Sequence, residues 1–162
     1  KTTPSLSLSK AFGENATGYL SANEGFKSGG FNGRAHSATA VSSFDPETVW
    51  TYELGFKATT ADRRLAGNFA IFYSEYEDFQ ARVSEVQNPG APIPTFAFPV
   101  LNAAKLGIAG AEFEGIMLIG DATQVSTQIS WLDADYDEGS GSSEFSYDVL
   151  THGPQLGVTF RF

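Results

Sequence analysis

Between Thr48 and Gln80 the side chains alternate so regularly that one kind of local structure fits. Trp50, Tyr52, Leu54, Phe56 and Ala58 fall on one side of an extended chain, and Thr51, Glu53, Gly55 and Lys57 on the other. A short polar turn follows around Thr59 to Arg63. Leu65, Gly67, Phe69, Ile71 and Tyr73 then alternate with Ala66, Asn68, Ala70, Phe72 and Ser74. Successive side chains of a strand point to opposite faces, so this pattern predicts a β-hairpin with one apolar and one more polar face. The aromatic weight of the apolar face poses the functional question: it packs on a protein core or it faces lipid.

Composition narrows the answer. A length of 162 residues suits one domain over residues 1–162. The absence of cysteine excludes a disulfide framework and a thiolate metal site, and fits an oxidising compartment. A net charge of -9 argues against nucleic acid, whose binding needs clustered Lys and Arg. Aromatics reach 14% although mean hydropathy is slightly negative, at -0.16. That combination suits a transmembrane β-barrel, where only alternate residues meet lipid. No apolar run reaches the ~18 residues of a membrane helix. The chain begins without Met, a basic n-region or an apolar h-region, so it reads as a mature chain or a piece of something larger.

Further strands are expected at Ser5 to Phe12, Thr17 to Phe26, Asn102 to Met117, Ala122 to Tyr136 and Gln155 to Phe162. Lys27 to Asp45 and Ser84 to Pro99 read as long loops, the second interrupted by four prolines that cannot donate to a ladder. Asp137 to Pro154 also reads as loop. Phe145, Tyr147 and Val149 leave room there for an eighth strand over Glu144 to Leu150. The expected fold is all-β: an antiparallel meander of seven to eight strands, a transmembrane β-barrel or a segment of one. Connections alternate between short and long, as in outer-membrane barrels with tight turns on one rim and long loops on the other.

Several motifs in order carry a family resemblance. Gly25-Phe26-Lys27-Ser28-Gly29-Gly30-Phe31-Asn32 resembles a strand end and loop start of TonB-dependent outer-membrane receptors. Phe44-Asp45-Pro46-Glu47 and Tyr52-Glu53-Leu54-Gly55-Phe56-Lys57 resemble that family's "PE…YELGxK" signature. Asn68 to Tyr73, Tyr76 to Gln80, Asn102-Ala103-Ala104 and Gly110 to Glu114 resemble the strands that follow. The resemblance implies a bacterial outer-membrane location and a 22-stranded barrel with an N-terminal plug. It also implies nutrient uptake (siderophore, vitamin or glycan) driven through TonB. This chain has no plug, no TonB-box segment and about a third of the strands, so it is expected not to transport alone. An open strand number leaves edges that favour the remaining barrel strands or self-association.

The resemblance makes the two long loops ligand-contacting, with Phe31, Asn32, Arg34 and His36 as candidate residues. Trp50, Tyr52, Tyr73, Tyr76 and Trp131 are candidates for interfacial aromatic girdles. On Val125, Thr127, Ile129 and Trp131 the apolar face continues to Asp133, a carboxylate that hydrocarbon excludes, so lipid contact is expected to end near Trp131. Phe162 ends the chain as barrel-assembly signals do, although any amphipathic strand reads the same way.

Asp133, Asp135, Asp137 and Glu144 have EF-hand spacing. The sharp-turn Gly is displaced to Gly139 and no helices flank it, so no metal is expected. Glu112 and Glu114 share a strand face, which suits a polar wall better than acid-base chemistry. No catalytic residue and no cofactor are expected. His36 and His152 stand far apart, and no G-x-S-x-G appears. Two other readings stay open: a structural protein whose β-segment self-assembles, and a soluble β-sandwich that binds a ligand.

Overall fold

The computed structural model describes residues 1–33, 42–86, 88, 90, 92–93, 95–102, 105–137 and 149–160. In chain order the strands are β1 (Ser5–Phe12), β2 (Ala16–Lys27), β3 (Gly30–Phe31), β4 (Ser43–Phe44), β5 (Glu47–Thr59), β6 (Leu65–Glu77) and β7 (Gln80–Arg82). There follow β8 (Glu85–Val86), β9 (Phe96–Ala97), β10 (Val100–Asn102), β11 (Lys105–Ile119), β12 (Thr123–Asp137) and β13 (Val149–Phe160). The seven long strands form one antiparallel sheet in the order β1-β2-β5-β6-β11-β12-β13. The short strands pair off as β3 with β4, β7 with β10 and β8 with β9.

This is the expected meander. The sheet is open, with β1 and β13 at its two edges. Among the described residues no second sheet covers it, and Ala70 is the one buried hydrophobic residue. A sandwich has a two-sided core that this arrangement lacks.

Three differences from the sequence reading stand out. The last strand begins at Val149 rather than Gln155, so Pro154 lies inside it, opposite Ile129. Within the described sheet β13 is flanked by β12 alone, so no second described strand calls on the missing Pro154 N–H. Leu150 belongs to this strand, not to a separate eighth one, and Glu144, Phe145 and Tyr147 lie outside the described residues. Finally, β6 stops at Glu77 because Asp78 takes a left-handed φ of 54°, and Gln80 opens β7 instead.

The register runs without a break across the sheet, so whole rows of side chains share a face. One row joins Leu8, Leu20, Leu54, Ile71, Ala111 and Trp131. The next apolar row joins Phe56, Phe69, Phe113 and Ile129. Intervening rows are polar: Ser9, Tyr19, Gly55, Ala70, Glu112 and Ser130 form one of them. The apolar face is the more exposed, with Leu8 61%, Leu54 52% and Ile129 50% accessible. The polar face includes Ala70 and Ser74, both nearly inaccessible. Such an asymmetry makes the polar side the concave one.

Strand ends at the short-turn rim step down across the sheet. Phe12, Ala16, Ala58, Gly67 and Gly115 share a row; β1 and β2 turn there, whereas β11 continues four residues further to Ile119. Four residues at ~3.3 Å over four strand spacings of ~4.8 Å give a tilt of roughly 35°. Barrel strands tilt by roughly that angle. The sheet is thus already sheared for closure.

Candidate functional site

The concave wall and the long-loop rim carry the polar chemistry. On the wall, cross-strand neighbours bond each other. The Tyr19 hydroxyl donates to Glu53 Oε1 at 2.6 Å, and Lys57 Nζ lies 5.4 Å from the centre of the Tyr19 ring. Thr51 and Ser74 hydroxyls meet at 2.9 Å, and Gln128 Nε2 donates to Glu114 Oε1 at 3.3 Å. Glu112 and Glu114 do share this face, in successive polar rows. They stand opposite Ser130 and Gln128, and Glu114 also lines an open hollow of about 580 Å³ with Lys57, Arg63 and Asn68. His152 pairs in register with Trp131 on β13, and His36 lies outside the described residues.

Asp133, Asp135 and Asp137 are strand residues of β12 paired with β11, with Asp137 opposite Lys105. They are therefore not a calcium loop, and Glu144 lies outside the described residues. Among the described residues no group of three His, Asp or Glu is placed to hold a metal.

At the long-loop rim the two long connections are stitched together. Asn32 Nδ2 donates to Ser42 Oγ at 2.8 Å and to the Val100 carbonyl at 3.0 Å, while Val100 N donates to Asn32 Oδ1 at 2.8 Å. Asn102 acts the same way from the other side. It accepts from Asp45 N at 2.7 Å and donates to the carbonyls of Asp45 at 3.0 Å and Asp78 at 2.8 Å. Gln80, 9% exposed, donates through Nε2 to the carbonyls of Ser28 and Asp45 at 3.0 and 3.1 Å. Its backbone N–H donates to the buried Glu47 carboxylate at 2.8 Å, and Lys27 Nζ stands 3.9 Å from the same oxygen. Burial of Glu47 is tolerated because a donor and a cation face it.

Of the loop candidates, Phe31 projects from β3 with 75% of its surface accessible. Asn32 sits beside it, its amide committed to the clamp on Val100. Arg34 and His36 lie outside the described residues. The sequence reading missed Glu47, Gln80 and Asn102 as the residues that fix the rim. All three fall inside motifs singled out above, but their partners lie in other loops.

The aromatic candidates divide by strand parity. Tyr52, Tyr73 and Trp131 belong to apolar-face rows, and Trp50 stacks on Tyr52 at 6.0 Å and 15°. Counting from the short-turn ends corrects for the shear. Tyr52 stands seven residues from Thr59, Tyr73 eight from Leu65 and Trp131 eight from Thr123. The three therefore lie at one level, and Glu75 and Asp133 both stand ten residues from the same ends. Tyr76 is the exception. It pairs with Val49 and Leu106 on the polar face and packs edge-on against Phe79 at 5.9 Å.

An antiparallel, sheared sheet with a levelled aromatic row on its apolar side and a hydrogen-bonded polar side is a piece of barrel wall. The matching family is the TonB dependent receptor-like β-barrel, whose model covers residues 1–159, and the chain belongs to it. That family comprises receptors and transporters of the bacterial outer membrane, not enzymes. Among solved structures, the chain is similar to the siderophore receptor PirA from Pseudomonas aeruginosa. The identity is 16% and the TM-score 0.63, over 96% of this chain and 35% of that one. The siderophore receptor PirA from Acinetobacter baumannii matches at 14% identity and a TM-score of 0.49, over 96% and 34% respectively. The chain thus spans about a third of the length of these receptors.

Proposed function

We propose that residues 1–162 form one wall segment of a nutrient receptor in the outer membrane, with its apolar face in lipid. The observation that carries this reading is the levelled band. From Leu65 to Tyr73, eight residues at ~3.3 Å and a tilt of ~35° span roughly 22 Å, close to the ~25 Å apolar band of outer-membrane barrels. Lys10 is the one cation on the described apolar rows within that band. It lies two residues from the end of β1, its ammonium 5.4 Å from the Phe12 ring centre, so it reaches the interface by snorkelling.

In this reading the short turns are periplasmic and the long-loop rim is extracellular. The clamped loops present Phe31 and the adjoining residues, with Arg34 and His36, to an incoming ligand. Ligand classes consistent with the family are siderophores, vitamins and glycans. The similarity to a siderophore receptor favours the first, although it is a likeness of fold at 16% identity. Energy comes from TonB through a plug, so this segment alone binds without transporting.

A fluorophore on Phe31→Cys in the full-length receptor tests the loop assignment. Titration with a ferric siderophore, cobalamin or an oligosaccharide should change its emission with one class and leave a label at Ser7→Cys unchanged. No response to any class would remove these residues from the binding surface. The edges of β1 and β13 also favour strand pairing. A self-assembled sheet or filament of this segment is the second reading. Negative-stain particles far larger than one receptor would support it.

A further inference from the structure

We propose that the polar hollow at the short-turn end of the concave face binds a short peptide by its two free termini. The site needs only the sheet itself, whatever ligand enters at the opposite rim. In register, Thr17, Lys57, Asn68 and Glu114 stand side by side on β2, β5, β6 and β11. With Glu14 and Arg63 from the two adjoining turns they line the open hollow of about 580 Å³. Among the described residues no ion pair includes Glu14, Lys57, Arg63 or Glu114. Lys57 Nζ rests near the Tyr19 ring, and Glu114 takes a neutral donor, the Gln128 amide at 3.3 Å. Two cations and two carboxylates thus share one hollow without neutralising each other. Asn68 Oδ1 is shut off from solvent and accepts no hydrogen bond, an acceptor that lacks its donor.

The turn does not ask for a long cation at Arg63. Its φ of 57° is one that glycine adopts freely and a residue with a Cβ does not. Arg64, the next residue, is committed elsewhere, to the Gly120 carbonyl at 3.1 Å and to Asp121 at 3.4 Å. The mixed charge decides the occupant. A lone anion drawn to Lys57 and Arg63 would share the hollow with two carboxylates, and a lone cation drawn to Glu114 would share it with two cations. A neutral sugar would leave all four charges without a partner. A ligand with a carboxylate at one end and an ammonium at the other balances both signs. The carboxylate goes to Lys57 and Arg63. The ammonium, with its three donors, goes to Glu114 and to Asn68 Oδ1, which a turn of the amide about its soft terminal torsion brings into the hollow. Two strand spacings of ~4.8 Å separate Lys57 from Glu114, roughly 10 Å. An extended peptide advances ~3.3 Å per residue, so about three residues with free termini bridge that gap.

The test is calorimetric titration of the full-length receptor in detergent with trialanine. Trialanine should bind saturably. N-acetyl-trialanine and trialanine amide should each bind about tenfold or more weakly, the worth of a charge-assisted hydrogen bond. Two variants separate the ends. Glu114→Gln should lose the preference for the free amine and keep that for the free carboxylate, and Lys57→Gln should do the reverse. Heat-modifiable gel mobility checks that both variants fold, and the capped peptides on the parent receptor decide the proposal even where one does not. Capped peptides that bind as well as trialanine, or no saturable binding at millimolar peptide, would overturn the site. A folded variant that weakens all three peptides equally would overturn it too. So would a benzophenone placed by Thr17→p-benzoylphenylalanine that crosslinks another segment of the receptor, since the protein itself would then fill the hollow.

Discussion

Gly110→Ala and Gly67→Ala make the same chemical change in neighbouring strands of one sheet, and the structure assigns them opposite signs. Gly110 lies opposite Phe72 on the polar face, with the Phe72 ring laid over its bare backbone. A Cβ there would stand 2.6 Å from Cε1 and 2.9 Å from Cε2 of that ring, and closer still to Cζ. Carbon contacts are favourable at ~3.5–4.0 Å, so the ring must leave its place. Overpacking of this kind costs about 1–3 kcal/mol. Replacing glycine recovers roughly 0.4–1 kcal/mol of unfolded-chain entropy, leaving Gly110→Ala destabilised by about 1–2 kcal/mol. At Gly67 the new methyl meets only ordinary contacts, so the entropy gain stands alone and the variant is as stable as the parent or slightly more so. Urea unfolding of the full receptor in detergent, with heat-modifiable gel mobility as the folded-state signal, measures both. Phe72→Leu should rescue Gly110→Ala in a double-mutant cycle, because the clash is with that ring. A Gly110→Ala receptor at least as stable as Gly67→Ala would refute the reasoning.

Tyr19→Phe removes the 2.6 Å bond to Glu53 and should lower stability by about 0.5–1.5 kcal/mol, read by the same unfolding assay. Asn32→Ala frees the Val100 amide, so hydrogen exchange at Val100 should accelerate while that of the β5–β6 ladder stays constant. Gln80→Ala breaks two clamps to the carbonyls of Ser28 and Asp45. It should loosen both loops together, visible as coupled exchange gains in residues 27–33 and 42–46. In the β5–β6 turn the Thr60 hydroxyl, and then the Arg64 N–H, hold the Asp62 carboxyl below its ordinary value of 3.8. A depressed folded value means a stabilisation present above pH ~3.8 and lost as pH falls through the folded value. Asp62→Asn should therefore lower hairpin stability at pH 7, and the deficit should shrink as pH falls below ~3.8.

The long strands were legible because their information is local. Strict alternation in β5, β6 and β12 with a short turn leaves no other reading, and β1 matches its expected span of Ser5 to Phe12. Tyr76 shows where residue type misleads: an aromatic invites a girdle role, but parity sets it on the face opposite Tyr73. Pro154 hid the first half of β13, because a proline cannot donate to a ladder and so reads as a strand boundary. Two-residue strands such as β3 and β8 carry no periodicity at all. The rim clamp was out of reach for a different reason. Asn32 and Val100 are 68 positions apart, and Asp45 and Asn102 are 57, so nothing local couples them.

The central claim is that alternate residues of this sheet face lipid over a band that ends at the aromatic level. Nitroxide labels placed singly at residues 65–77 of the receptor in vesicles measure it through collision with oxygen and with a water-soluble nickel complex. The account predicts high oxygen and low nickel accessibility at residues 65, 67, 69, 71 and 73, the reverse at 66, 68, 70, 72 and 74, and nickel access restored on the outer face at Glu75. An oxygen profile without period two, or one in phase with the even residues, would contradict it.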